Sequence, residues 1–154
     1  MGARSRKVPA APLSLTGWRK LARRWEKKCD KALSQYVRAK TLREFGGCPF
    51  CGGEIHHCFH FVTRKRRVIR WLLLNVIGSC KSCNKQERYW PDLSRAWFVK
   101  HYGAEVYIDL VRRSRRDWKA PRDMDRTEVE RFVRYLQTVA QHYTLKLQEL
   151  VRKD

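Results

Sequence analysis

Between about Thr16 and Phe45 the apolar residues fall at helical spacing. Trp18, Leu21, Trp25, Cys29, Leu33, Tyr36 and Val37 share one face, with Arg, Lys and Glu opposite. The pattern predicts a helix that Ser14 or Thr16 caps and Gly46-Gly47 stops. Its aromatic stripe reads as core rather than as a base-stacking platform. Cys29, with no partner at ligand spacing, reads as a small buried hydrophobe. In "EIHHCFHFV" the period changes to two and predicts a strand. Ile55, His57, Phe59 and Phe61 lie on one face; His56, Cys58, His60 and Val62 lie on the other. A basic loop, "TRKRR", leads to "VIRWLLLNVI", whose continuous apolar run predicts a second strand, buried on both faces or ending in a turn at Asn75.

The remainder predicts helices. Residues 84 to 90 begin a helix or helical turn, and Pro91 interrupts it. Asp92 or Ser94 caps a helix over 93–102, Gly103 closes it, and 104–113 form another. "RRSRRDWKAPRD" is a basic connector containing helix breakers. Asp125-Arg-Thr-Glu128 has the form of a capping box. Val129, Phe132, Val133, Leu136, Val139 or Ala140, Tyr143 and Leu147 then trace the inner face of a last helix. The expected fold class is α+β and mostly helical. Residues 1–13 form a loose basic arm, and 14–154 a single domain. Within it, 14–46 hold the first helix, 47–90 a zinc-bound core and 91–154 the C-terminal helices.

Charge changes the picture next. Thirty-five Lys and Arg against fifteen acidic residues leave +20 on 154 residues. So positive a surface attracts a polyanion, and nucleic acid is the expected partner. An anionic membrane fits less well, because the basic residues are not confined to one amphipathic helix. No run reaches the ~18 apolar residues of a membrane span. The arginines of the first residues also fit a mitochondrial presequence.

Two cysteine pairs bracket the centre of the chain, Cys48-Pro-Phe-Cys51 and Cys80-Lys-Ser-Cys83. Each knuckle can aim two thiolates inward from a tight turn, so the four can surround one tetrahedral Zn2+. A disulfide framework is the poorer account for six cysteines and no secretory signal. Helix, knuckle, hairpin, knuckle, helix is the order of a ββα unit whose ribbon and following helix converge on one point. A histidine on the first strand can there meet an Asn at the start of the helix, with a metal between them. Imidazole can take a proton from water, and a divalent ion can neutralise charge on a phosphate leaving group. Those are the needs of phosphodiester hydrolysis.

From about residue 30 onward the chain resembles the phage recombination endonucleases of the NinG/Rap type, zinc-containing relatives of HNH nucleases and of endonuclease VII. The shared features are ordered along the chain. "SQYVRAK" precedes Cys48-Pro-Phe-Cys51-Gly52, and His60-Phe61 has an Arg soon after. Arg70-Trp71 then stands before Asn75, Cys80-x-x-Cys83-Asn84 follows, and "HYGAEVYIDL" lies about twenty residues downstream. The resemblance implies a ββα-metal fold and cleavage of branched or displaced-strand DNA, such as Holliday junctions or D-loops. It implies a divalent cofactor such as Mg2+ beside the structural Zn2+, and the cytoplasm of a phage-infected or prophage-carrying host. It carries the general base onto His60, a catalytic-metal ligand onto Asn84, and the zinc ligands onto Cys48, Cys51, Cys80 and Cys83. For Asn75 it implies a role in holding the loop and orienting the histidine.

One departure leaves two registers open. Comparable nucleases have an Asp a little before the histidine, where this chain reads "HHCFH". His57 stands nearest by count as a replacement metal ligand. In the rival register His56 and His57 are ligand and base, and His60 is structural. A mostly nitrogen ligand set suits Zn2+, Ni2+ or Mn2+. Glu87 is a further candidate ligand. Arg64, Lys65, Arg66, Arg67 and Arg70 adjoin the site and are expected on DNA phosphates, with Arg112, Arg113, Arg115 and Arg116 as a second patch. Such contacts position a duplex without reading its sequence. A homodimer fits a junction, which has two-fold symmetry and needs two cuts. The missing Asp keeps a second function open, a non-catalytic zinc-ribbon protein that binds nucleic acid.

Overall fold

The computed structural model describes residues 12–86, 91–116 and 118–152. The basic arm expected over 1–13 lies almost wholly outside the described residues, as do Glu87 and Asp117. Helix α1 spans Leu15–Phe45. The Ser14 hydroxyl accepts from the Gly17 amide at 3.1 Å and caps its start. Gly46 ends it in the left-handed region, at φ 71°, and returns its amide to the Leu42 carbonyl. At the far end of the chain α6, Arg126–Val151, opens with the expected capping box between Asp125 and Glu128. The two long helices lie against each other. Their predicted inner faces form the main core, with Cys29, Leu33, Val37, Val129, Val133 and Leu136 almost fully buried. Each Leu and Val among them contributes about 1.5–3 kcal/mol of burial free energy. Cys29 is the buried hydrophobe expected: its thiol meets the Leu136 carbonyl at 2.9 Å, and burial pushes its pKa up to about 12.

Against α1 lies a small antiparallel ribbon, β1 His57–His60 paired with β2 Val76–Ser79. His57 stands opposite Ser79 and His60 opposite Val76. Cys58 and Val76 pack on the α1–α6 core, and Gly78 meets Thr41 of α1 so closely that a Cβ would stand 2.9 Å from the Thr41 Cβ. The face carrying Cys58 and His60 therefore turns toward α1. On the other face Phe59 is buried among aromatic rings, 5.2 Å from Phe50 and 5.4 Å from Phe61.

The run "VIRWLLLNVI" corrects the expectation of a long second strand. Its first part is a helical turn, α2 Arg67–Arg70, then a 3-10 turn over Leu73–Asn75; only Val76 onward is strand. The run is indeed buried on two sides, but by winding rather than by pleating. Trp71, Leu73 and Val76 enter the α1–α6 core, whereas Ile69, Leu72 and Leu74 join a second cluster around Phe98 and Leu110. Polar anchors hold the winding. Arg67 and Arg70 are fixed to acidic residues of α1, and the Asn75 side chain grips the backbone at both ends of the loop.

Helix α3, Lys81–Gln86, starts within the second cysteine knuckle, three residues earlier than expected. The Cys83 amide reaches the Cys80 sulfur at 3.3 Å, so the knuckle doubles as the helix start. Helices α4, Pro91–Tyr102, and α5, Ala104–Ser114, meet at Gly103 and carry Phe98 and Leu110 into the second cluster. Among the described residues the protein is thus mostly helical with one two-stranded sheet, and no helix there is long and apolar enough to cross a membrane.

Candidate metal centre and nucleic-acid interface

The first knuckle is a tight turn. The Gly52 amide donates to the Cys48 carbonyl at 2.7 Å, and the Cys48 amide to the Gly53 carbonyl at 2.7 Å. Gly52 sits at φ 76°, a conformation that L side chains rarely adopt. The turn faces the start of α3, and the four sulfurs of Cys48, Cys51, Cys80 and Cys83 all lie within 4.8 Å of one another. Four thiolates bound at ~2.3 Å to one tetrahedral zinc stand roughly 3.8 Å apart, so sulfurs gathered this closely are within reach of a single ion. All four cysteines are free of disulfides. The cluster can hold a structural metal such as zinc.

His60 occupies the opposite end of the ribbon. Its Nε2 lies 3.2 Å from the carbonyl oxygen of Arg70. A carbonyl only accepts, so Nε2 carries the proton and Nδ1 keeps its lone pair. Burial, the largest influence, lowers its pKa to about 4, with Arg70 and Arg64 adding to the fall; the Arg70 carbonyl and Asp30 oppose it. The ring is neutral at pH 7. Asn75, fully buried, holds the loop that brings Arg70 there. Its Oδ1 accepts from the Val62 amide at 2.8 Å, and its Nδ2 donates to the carbonyls of Val62 at 3.0 Å and Ile69 at 3.2 Å.

Other expected site residues are not gathered around His60. His57 lies on the far face of β1 with Phe59, since successive side chains of a strand alternate. A metal ligand at His57 and a base at His60 are therefore not brought to one side of the ribbon. His56 is exposed and stands 3.4 Å from Glu54. Asn84 lies on α3, its amide bonded to the Cys80 carbonyl, while its neighbour Cys83 lines a pocket with Phe50 and Phe59 on the His57 side. Among the described residues the four cysteines are the one cluster of His, Cys, Asp and Glu shaped for a metal. Glu87 lies outside the described residues.

The basic residues divide into two kinds. Arg64, Lys65 and Arg66 are exposed on the loop that leaves His60. Arg67 and Arg70, expected on DNA phosphates, are mostly buried and turned inward. Arg67 Nε bonds Glu26 at 2.8 Å, and Arg70 grips Asp30 through Nε and Nη2. Asp30 also accepts from the Trp71 indole at 2.9 Å. Arg112, Arg113, Arg115 and Arg116 are exposed at the end of α5, with Arg113 held by Asp109 at 2.7 Å. Glu26 and Asp30 escaped the sequence reading. Their signal was an acidic pair at i, i+4 beside the apolar stripe of a helix otherwise rich in Lys and Arg.

These features define a mostly helical protein with a four-cysteine centre and a clamped, neutral histidine beside a basic loop. No family model, curated protein or solved structure matches the chain.

Proposed function

We propose that the protein is a structure-selective DNA endonuclease that hydrolyses phosphodiester bonds in branched DNA of the Holliday-junction or displaced-strand type, as in phage recombination. The observation that carries the reading is the setting of His60. Its Nε2–H is spent on the Arg70 carbonyl, its Nδ1 lone pair stays available at neutral pH, and the loop that orients it is held by Asn75. Those are the roles that the resemblance to NinG/Rap-type nucleases implies for the two residues. In the reaction His60 takes the proton of an attacking water, while Arg64, Lys65 and Arg66 draw the phosphate backbone to it. The four-cysteine centre holds the ribbon and α3 together. The divalent ion that the resemblance implies has Asn84 as its candidate ligand. The described residues bring no second ligand cluster to it.

A second reading is favoured by the separation of His57 from His60 across the ribbon. In that reading the same scaffold binds nucleic acid without cutting it. A nicking assay on branched and linear DNA with added Mg2+ or Mn2+, beside the His60→Ala variant, decides between them. The nuclease reading expects cutting by the parent and none by the variant, with zinc content and DNA affinity unchanged. A base acts on a proton in flight rather than in ground-state binding. A parent that binds but cuts no DNA structure with either metal leaves the binding protein as the account.

A further inference from the structure

Trp118, in the connector between α5 and α6, is 36 % exposed. Its ring stands edge-on to two rings of α6, 4.9 Å from Tyr135 at 86° and 5.8 Å from Phe132 at 84°. The three rings wall an open cavity of about 530 Å3, with Lys119, Glu128 and Arg131 also lining it. Glu128 is already engaged: Oε1 accepts from Lys119 and Oε2 from the Asp125 amide. Arg131 acts on the same carboxylate, so among the described residues the lining sets two cations, Lys119 and Arg131, against one acid, Glu128. The buried Trp71 links the walls of the cavity to the support of His60. The Trp71 ring lies 6.2 Å from Phe132 and 6.3 Å from Tyr135, and Trp71 follows Arg70, whose carbonyl holds His60.

We infer that this cavity receives an unpaired base of a single-stranded DNA segment. Anchoring the connector accounts for one ring contact, but not for an open pocket walled by three aromatic rings and two cations. Phe132 is buried behind the other two rings, but Trp118 and Tyr135 each keep over a third of their surface exposed, and a base binds by stacking on an exposed aromatic ring. The volume is in the range of small-ligand sites and admits one planar base. A base within a duplex has its faces covered by its neighbours, so the cavity selects bases that are already unpaired. Arg131 supplies the charge for the adjoining phosphate. The inference rests on the nucleic-acid part of the proposed function and not on cleavage. It gives that function a source of selectivity for flaps and displaced strands.

The test uses the full chain with its zinc and no added divalent ion, so that binding is read without cutting. The probe is a duplex with a single-stranded flap carrying 2-aminopurine, beside the same duplex without a flap. The parent is expected to quench the 2-aminopurine and to bind the flapped DNA about tenfold more tightly, the scale of one stacked base. Trp118→Leu keeps an apolar side chain and is expected to lose both the quenching and the preference while binding the plain duplex as the parent does. Arg131→Gln should weaken flap binding and spare the duplex. If Trp118→Leu melts below the parent, Tyr135→Leu repeats the test from the other wall. Retained quenching in both leucine variants, or equal weakening for both DNAs, overturns the inference. A parent that binds duplex and flap alike overturns it and leaves the proposed function standing. A parent that binds neither DNA removes both.

Discussion

His60 Nε2 stands 3.2 Å from the carbonyl oxygen of Arg70, and the guanidinium of the same arginine is bound to Asp30 of α1. One residue thus ties the histidine of the ribbon to the long N-terminal helix through both its main chain and its side chain. The arginine expected to hold DNA instead holds the histidine's support. An ion pair so placed orders the loop only while both partners are present, because a lone buried charge is costly.

Acid should reveal the burial of His60. Its pKa falls from the ordinary value near 6.5 to about 4 on folding, so the unfolded chain binds the proton more readily. Stability from this group is full above about pH 6.5 and is lost as pH falls toward about 4, by at most ~1.4 kcal/mol per pH unit. Urea melts at pH 4.5 and 7.5 should show a larger difference for the parent than for His60→Gln. Parallel losses in the two proteins would place the imidazole in water.

Asn75→Ala removes three side-chain hydrogen bonds at once and leaves the Val62 amide and the Val62 and Ile69 carbonyls without that partner. A destabilisation of about 2–4 kcal/mol is expected from urea unfolding, the cost of several unmet buried groups. A loss under about 0.5 kcal/mol would mean that the loop keeps its shape without the clamp.

Cys80→Ser opens the four-sulfur cluster and deletes the sulfur that the Cys83 amide meets. Metal analysis should find about one zinc per chain in the parent and little in the variant. The variant should also melt earlier, since the binding energy of a structural site is folding energy. Equal zinc and equal melting would refute the centre.

Replacing Arg64, Lys65 and Arg66 by Ala should weaken DNA binding regardless of sequence. The slope of log affinity against log salt should flatten by about 0.9 for each lost phosphate contact. Arg70→Ala should behave differently, lowering stability through the stranded Asp30 carboxylate and the loosened loop. If Arg70→Ala instead changes the salt slope with stability intact, its side chain faces DNA and the inward pairing is wrong.

Much of this architecture was determined by the sequence alone, where the interactions are local. The apolar stripe of α1, the capping box and inner face of α6, and the Cys-x-x-Cys knuckles with their glycines each specify structure within a few residues of themselves. Even the separation of His57 from His60 was present in the alternation of "HHCFH", because a period of two puts residues three apart on opposite faces. Tertiary structure decided the rest. The run from Val68 to Ile77 is apolar in every register, so its pattern could not say that it winds and divides between two cores. That choice depends on Glu26 and Asp30, about forty positions away, which draw in Arg67 and Arg70. The cavity of Trp118, Tyr135 and Arg131 likewise exists only where the connector folds back on α6. A charge or a ring carries no mark in the sequence of the partner it will meet, since long-range pairing is set by packing of the whole chain rather than by local period.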